Sequence, residues 1–110
     1  RREGGLAVTK ELLRLEERPT AIFAANDLTA LGVLQAVKEE GLAIPQDVAV
    51  VGFDDIQFAS LPEIELTTIA QPKFQMGRLA FQKLLQINKE DGPAKERIIL
   101  RPKLVVRKTS

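Results

Sequence analysis

Asn26, Asp54 and Gln71 are the residues of this chain best suited to hold a small polar molecule. A carboxylate accepts two or more hydrogen bonds and a carboxamide both donates and accepts, so the three together match neighbouring hydroxyls. The chemistry is recognition, not bond breaking. A hydrogen bond to a charged group contributes ~1.5–3 kcal/mol, enough for an aspartate and two amides to orient a sugar or a nucleoside. Spacing leaves a second reading open, in which Asn26 and Asp54 are turn or cap residues satisfied by backbone amides.

The pair Asp54-Asp55 also suits a magnesium ion, because hard cations favour carboxylate oxygens. A metal-dependent phosphotransfer enzyme would further need a base and a phosphate cradle, and the sequence has neither a P-loop nor a G-x-G-x-x-G run. Histidine and cysteine are absent, which removes imidazole bases, thiol nucleophiles, disulfides and most zinc sites. No enzyme, cofactor or metal site is expected. Asp27 reads as a helix cap, Asp55 as a loop anchor, and Gly52 as a place where backbone packs closely.

What must position these residues is a βαβ unit. Two apolar runs, residues 20–25 and 48–53, end in Asn26-Asp27 and Asp54-Asp55, and one helix separates them. The crossover makes the strands parallel, and ligands bind such sheets at the strands' carboxyl ends. Asn26 and Asp54 then face one crevice. The near-absence of alternation in residues 20–25 predicts a parallel strand covered on both faces.

The intervening helix is predicted over residues 28–40, with Gly41 as its C-cap and Pro45 beyond. Leu28, Ala30, Leu31, Val33, Leu34, Ala36 and Val37 leave it almost no polar face before Lys38. A helix apolar nearly all round is buried nearly all round, which points to a partner subunit or a missing part, with cover by a later segment of this chain as the alternative. Upstream, Gly4-Gly5 reads as a loop end, followed by a surface helix with a Val8, Leu12, Leu15 stripe that stops before Pro19.

Residues 56–65 read as a loop exposing Phe58 and Leu61, and residues 66–70 as a strand or extended connector. Gln71-Pro72 introduces a third helix with a stripe of Phe74, Gly77, Ala80, Phe81, Leu84 and Ile87. A turn at Asp91-Gly92-Pro93 follows, then short strands at 98–100 and 104–106 broken by Pro102. The fold class is α/β, a parallel-sheet βαβ core in one small domain of 110 residues.

Sixteen basic and fifteen acidic residues alternate to a net charge of +1, so no phosphate-tracking surface is visible and direct nucleic-acid binding by this segment is not expected. No stretch approaches the ~18 apolar residues of a membrane span, so no membrane partner is expected either.

Several runs, in this order and spacing, resemble the LacI/GalR family of bacterial transcription regulators. They are Arg18-Pro-Thr-Ala-Ile-Phe-Ala-Ala-Asn-Asp27, Ala30-Leu-Gly32, Ile44-Pro-Gln-Asp-Val48, Val50-Val-Gly-Phe-Asp-Asp55, Leu66-Thr-Thr-Ile69, Gln71-Pro72 and Leu104-Val-Val-Arg107. The resemblance runs almost end to end. It implies the C-terminal part of a periplasmic-binding-protein-like effector domain, whose two lobes enclose a sugar-like or nucleoside-like ligand. By that likeness Asn26, Asp54 and Gln71 contact effector, and Leu28, Leu31, Leu34, Phe58 and Leu61 lie on a dimer surface. Residues 1–70 and 97–110 would form the C-terminal lobe, with 71–96 crossing to the N-terminal lobe.

The resemblance further implies a cytoplasmic protein whose operator DNA is read only through a headpiece preceding Arg1, with most of the N-terminal lobe also upstream. One wall of a site repays little of a sugar's lost hydration, so the isolated chain should bind effector weakly or undetectably. A sugar-binding protein of an ABC transporter shares the lobes and is the main rival. The second rival is the phosphotransfer enzyme considered above.

Overall fold

In the computed structural model, residues 1–87 and 97–110 are described, and they divide into two units. Arg1–Ala70 with Lys103–Ser110 forms the first unit, and Gln71–Pro102 the second.

In the first unit, strand β1 (Ala21–Phe23) lies parallel to β2 (Ala49–Val51), in the register Ala21 with Ala49, Ile22 with Val50 and Phe23 with Val51. Helix α2 (Asp27–Glu39) is the crossover between them. Chain following β2 continues beside β3 (Thr68–Ala70) through parallel bridges, Val51 with Thr67 and Asp54 with Ala70. Strand β4 (Lys103–Val105) then runs antiparallel to β3, one residue earlier than the predicted 104–106. The expected βαβ unit is therefore present, widened by a mixed edge.

Helix α2 ends as its sequence suggests: Gly41 N–H donates to the Lys38 carbonyl at 3.0 Å and Leu42 N–H to the Val37 carbonyl at 3.1 Å, a Schellman closure. Its start differs from the expectation. Asn26, not Asp27, is the N-cap, and Asp27 is the first helical residue, fully buried. The adjacent polar residues are both plausible caps in sequence, and the burial of Asp27 against β3 decides between them.

Helix α1 (Arg2–Leu13) corrects two further expectations. Gly4 and Gly5 lie inside it, and its buried face is Gly5, Thr9 and Leu13, while Val8 and Leu15 are exposed. The reason is close helix packing. A Cβ on Gly5 would strike the Thr29 carbonyl of α2, and one on Gly32 would strike the Arg2 carbonyl of α1. Small residues let the two backbones touch, and α1 thereby covers the side of α2 away from the sheet. An earlier segment of the chain thus covers part of α2, a source of cover not among those expected from the sequence. Ala30, Val33, Leu34 and Val37 join Val48, Val50 and Leu66 in the core.

Strand β1 is less covered than expected, because Ala21 and Phe23 are exposed and only Ile22 packs against the core. Among the described residues it pairs with β2 alone, at the edge of the sheet. Residues 57–60 form a short 3-10 helix, Gln57–Ser60, inside the predicted loop.

In the second unit, α3 (Lys73–Ile87) forms where the 3.6-residue stripe predicts, but none of its residues is buried and Phe74 is 87% exposed. Residues 98–100 are not a strand: Ile98 and Leu100 line a shallow groove with Met76 and Ala80 of α3, and no ladder partner lies beside them among the described residues. The predicted turn at Asp91-Gly92-Pro93 lies outside the described residues. No helix among the described residues is long and apolar enough to cross a membrane.

Candidate functional site

Asn26 and Asp54 follow the carboxyl ends of neighbouring strands, each three residues beyond the paired Phe23 and Val51. A direct backbone bond ties the two ends together, Asp27 N–H to the Phe53 carbonyl at 3.0 Å. The structure thus brings Asn26 and Asp54 to one end of the sheet. Asn26 Oδ1 accepts the Thr29 N–H at 2.8 Å, so its oxygen caps α2. The residue is exposed, and its NH2 group takes no part in that cap. Cap and ligand-binding residue are therefore compatible roles for one carboxamide, whose two ends are chemically different.

Asp54 is half-buried, and its N–H donates to the Ile69 carbonyl at 2.8 Å. Its φ is 119° and that of Asp55 is 54°, both in the half of backbone space that side chains disfavour. Each such residue costs roughly 1–3 kcal/mol and persists only where its surroundings fix it. Gln71, the third predicted site residue, opens the second unit directly after Ala70, and its carbonyl accepts the Lys73 N–H at 2.8 Å. Asn26 and Asp54 belong to the first unit.

Beneath Asp54 lies a polar network largely unforeseen in the sequence. Asp27 Oδ1 accepts the Thr68 hydroxyl at 2.6 Å and Oδ2 accepts the Ile56 N–H at 2.8 Å. Gly52 is required beside it, since a Cβ there would strike Asp27 Oδ1. Arg107 Nη1 donates to Asp55 Oδ1 at 2.9 Å and to the Leu66 carbonyl at 3.0 Å. The two side chains are only 17% and 28% exposed, so this pair is better shielded than a surface bridge. Asp55 is the loop anchor expected of it, and its charge is already met by a guanidinium. That engagement weakens the magnesium reading, and no group of three or more metal-ligating side chains occurs among the described residues.

The chain's last residues complete the frame. Thr109 is buried, its carbonyl accepts the Val50 N–H at 2.8 Å, and its hydroxyl donates to the Val50 carbonyl at 2.7 Å. The same hydroxyl accepts the Thr67 N–H at 2.9 Å, so the tail sits between β2 and the start of β3. Beside it, the Glu65 carboxylate, 2.7 Å away, raises the Lys108 pKa above its ordinary range by hydrogen bonding. The adjacent threonines at 67 and 68 were the available signal, since consecutive hydroxyls at a buried strand start need partners.

The predicted dimer residues are distributed unevenly. Leu28 is 49% exposed and Phe58 and Leu61 are exposed, whereas Leu31 packs partly on the core and Leu34 is only 7% exposed. Leu34 therefore belongs to the interior of this chain, since α1, the sheet and residue 64 close over that part of α2.

The whole chain, residues 1–110, matches the family model of the periplasmic binding protein-like domain. It is 40% identical over 107 residues to the ribose operon repressor of Haemophilus influenzae, covering 97% of this chain and 32% of that protein. Among solved structures, the dimeric Lac repressor with an 11-residue C-terminal deletion superimposes with a TM-score of 0.89 at 36% identity, over 99% of this chain and 40% of that one. The complex of the transcriptional regulator CelR with cellobiose gives 0.90 at 34% identity, over 99% and 33%. The chain thus spans about a third of the length of the curated repressor it matches, and the proteins it resembles are transcriptional regulators, not enzymes. On this evidence the chain belongs to the periplasmic binding protein-like domain family, in the form found in LacI-type transcriptional regulators.

Proposed function

We propose that this chain forms one wall of the effector site of a cytoplasmic LacI-type repressor, and that Asn26, Asp54 and Gln71 bind a sugar-like or nucleoside-like effector. The observation that carries the reading is the convergence of Asn26 and Asp54 at the carboxyl ends of adjacent parallel strands, tied by the Asp27–Phe53 backbone bond. Asp54 accepts hydroxyl hydrogens and the Asn26 NH2 donates to a hydroxyl oxygen. One relative is a ribose operon repressor and another is a regulator in complex with cellobiose, which supports a polyhydroxylated ligand class.

In the parent regulator, helix α3 packs on the N-terminal lobe, Leu28, Leu31, Phe58 and Leu61 meet a second copy, and a separate headpiece reads operator DNA. Effector changes operator affinity because it favours one arrangement of the lobes, a coupling of typically ~1–3 kcal/mol. The magnesium-enzyme reading loses its chemistry to the Arg107–Asp55 pair. The test is a calorimetric titration of the intact regulator with ribose, arabinose, cellobiose and adenosine. Replacing Asp54 with Ala should weaken whichever of them binds by about tenfold or more and leave the protein folded. Unchanged affinity in that variant would remove Asp54 from the site.

A further inference from the structure

We propose that Asp27 and Thr68 are positioning residues that hold the Asp54 turn in its ligand-binding shape, a role that rests on the reading of Asp54 as an effector ligand. Two consecutive residues in disfavoured backbone space, Asp54 and Asp55, keep that conformation only if the chain around them is fixed. Every residue from 53 to 56 is fixed through its backbone. The Phe53 carbonyl accepts the Asp27 N–H at 3.0 Å, and Asp54 N–H donates to the Ile69 carbonyl at 2.8 Å. Asp55 N–H donates to Thr68 Oγ1 at 3.3 Å, and Ile56 N–H donates to Asp27 Oδ2 at 2.8 Å.

Three of these four bonds end on Asp27 or Thr68, and the Thr68 hydroxyl joins the two by donating to Asp27 Oδ1 at 2.6 Å. Both residues are fully buried, so neither touches a ligand itself. A buried carboxylate must be compensated by hydrogen bonds or opposite charge, and Asp27 takes its side-chain bonds from the turn and from β3. Its place in the first turn of α2 adds the favourable field of the helix N-terminus. The arrangement links the Asp54 turn and β3 through one side chain at the start of α2. A turn fixed before binding spares the ordering cost that a loose one would incur on taking up its ligand.

Amide hydrogen exchange on the full 110-residue chain tests this without any effector. Thr68→Val keeps the shape and removes the hydroxyl, whereas Thr68→Ser keeps the hydroxyl and serves as the rescue. In Thr68→Val the amides of Asp55 and Ile56 should accelerate about tenfold or more beyond any change at the Val50 amide in the core. Thr68→Ser should restore them to within about twofold. Asp27→Asn, which fills the same space with one acceptor oxygen, should loosen the same amides and guards against a valine variant that fails to fold. Unchanged exchange at 55 and 56 in both variants would overturn the proposal, as would a uniform acceleration that includes Val50, the mark of a purely structural role. The ligand role of Asp54 is decided separately by the Asp54→Ala titration, so the two failures are distinguishable.

Discussion

Helices α2 and α3 both demand apolar cover, α2 nearly all round and α3 along one stripe, and they end differently. Helix α2 buries seven of its 13 residues, among them Ala30, Val33 and Val37, whereas α3 buries none of its 15. An amphipathic stripe states a demand for cover but not its source. For α2 the sheet supplies one side and α1 the other, with Gly5 and Gly32 allowing the backbones to meet. For α3 the described part of its unit supplies only residues such as Ile98 and Leu100 beside one groove. The first unit therefore has its own core, and the second presents Phe74, Phe81 and Leu84 to whatever packs on it.

The largest expected effect comes from testing that contrast in the cores. Leu66→Ala, at a fully buried position, should lower the unfolding free energy by ~2–5 kcal/mol, whereas Leu84→Ala on exposed α3 should change it by no more than ~0.5 kcal/mol. Urea unfolding of the two variants measures the difference, and equal losses would erase the distinction between the units. Asp27→Ala comes next. It leaves the Ile56 N–H and the Thr68 hydroxyl without their acceptor, each buried donor costing about 1–3 kcal/mol in the same assay.

Asn26 sharpens the comparison between stability and binding. Asn26→Ala should cost ~0.5–2 kcal/mol through loss of the α2 cap, while Asn26→Ser keeps a good cap and should be nearly neutral for stability. Both should weaken effector binding in the intact regulator, since both remove the carboxamide donor. An Asn26→Ser variant with native affinity would confine Asn26 to capping. The smallest effect is electrostatic. Hydrogen bonding from Lys10 and then Gln35 holds the Glu39 carboxyl below its ordinary value of 4.5. Its contribution is therefore present above pH 4.5 and fades as pH falls through the lower folded value. Thermal melts should show a slight acid destabilisation that Lys10→Ala reduces, because the pair at 2.8 Å joins α1 to α2.

Much of the architecture was legible because it depends on local periodicity. The two apolar runs, the helix between them and the Gly41 closure all follow from neighbours within a few residues. What escaped depends on distant partners. Thr68 meets Asp27 across 41 positions and Arg107 meets Asp55 across 52, and no spacing rule announces either pair. The buried face of α1 escaped for a related reason. Gly5 and Thr9 carry little hydrophobic signal, and the value of Gly5 lies in its small size against α2. The placement of Asn26 and Asp54 at one end of the sheet was legible because the end of a parallel strand is a position readable from one run alone.

The most direct test of the account is a crystal structure of the intact regulator with the ribose, arabinose, cellobiose or adenosine that titration shows to bind. A ligand hydroxyl is expected within hydrogen-bond distance of both the Asp54 carboxylate and the Asn26 amide, at the carboxyl ends of β1 and β2. A ligand seated away from those strand ends, with Asp54 and Asn26 bonded only to protein, would contradict it.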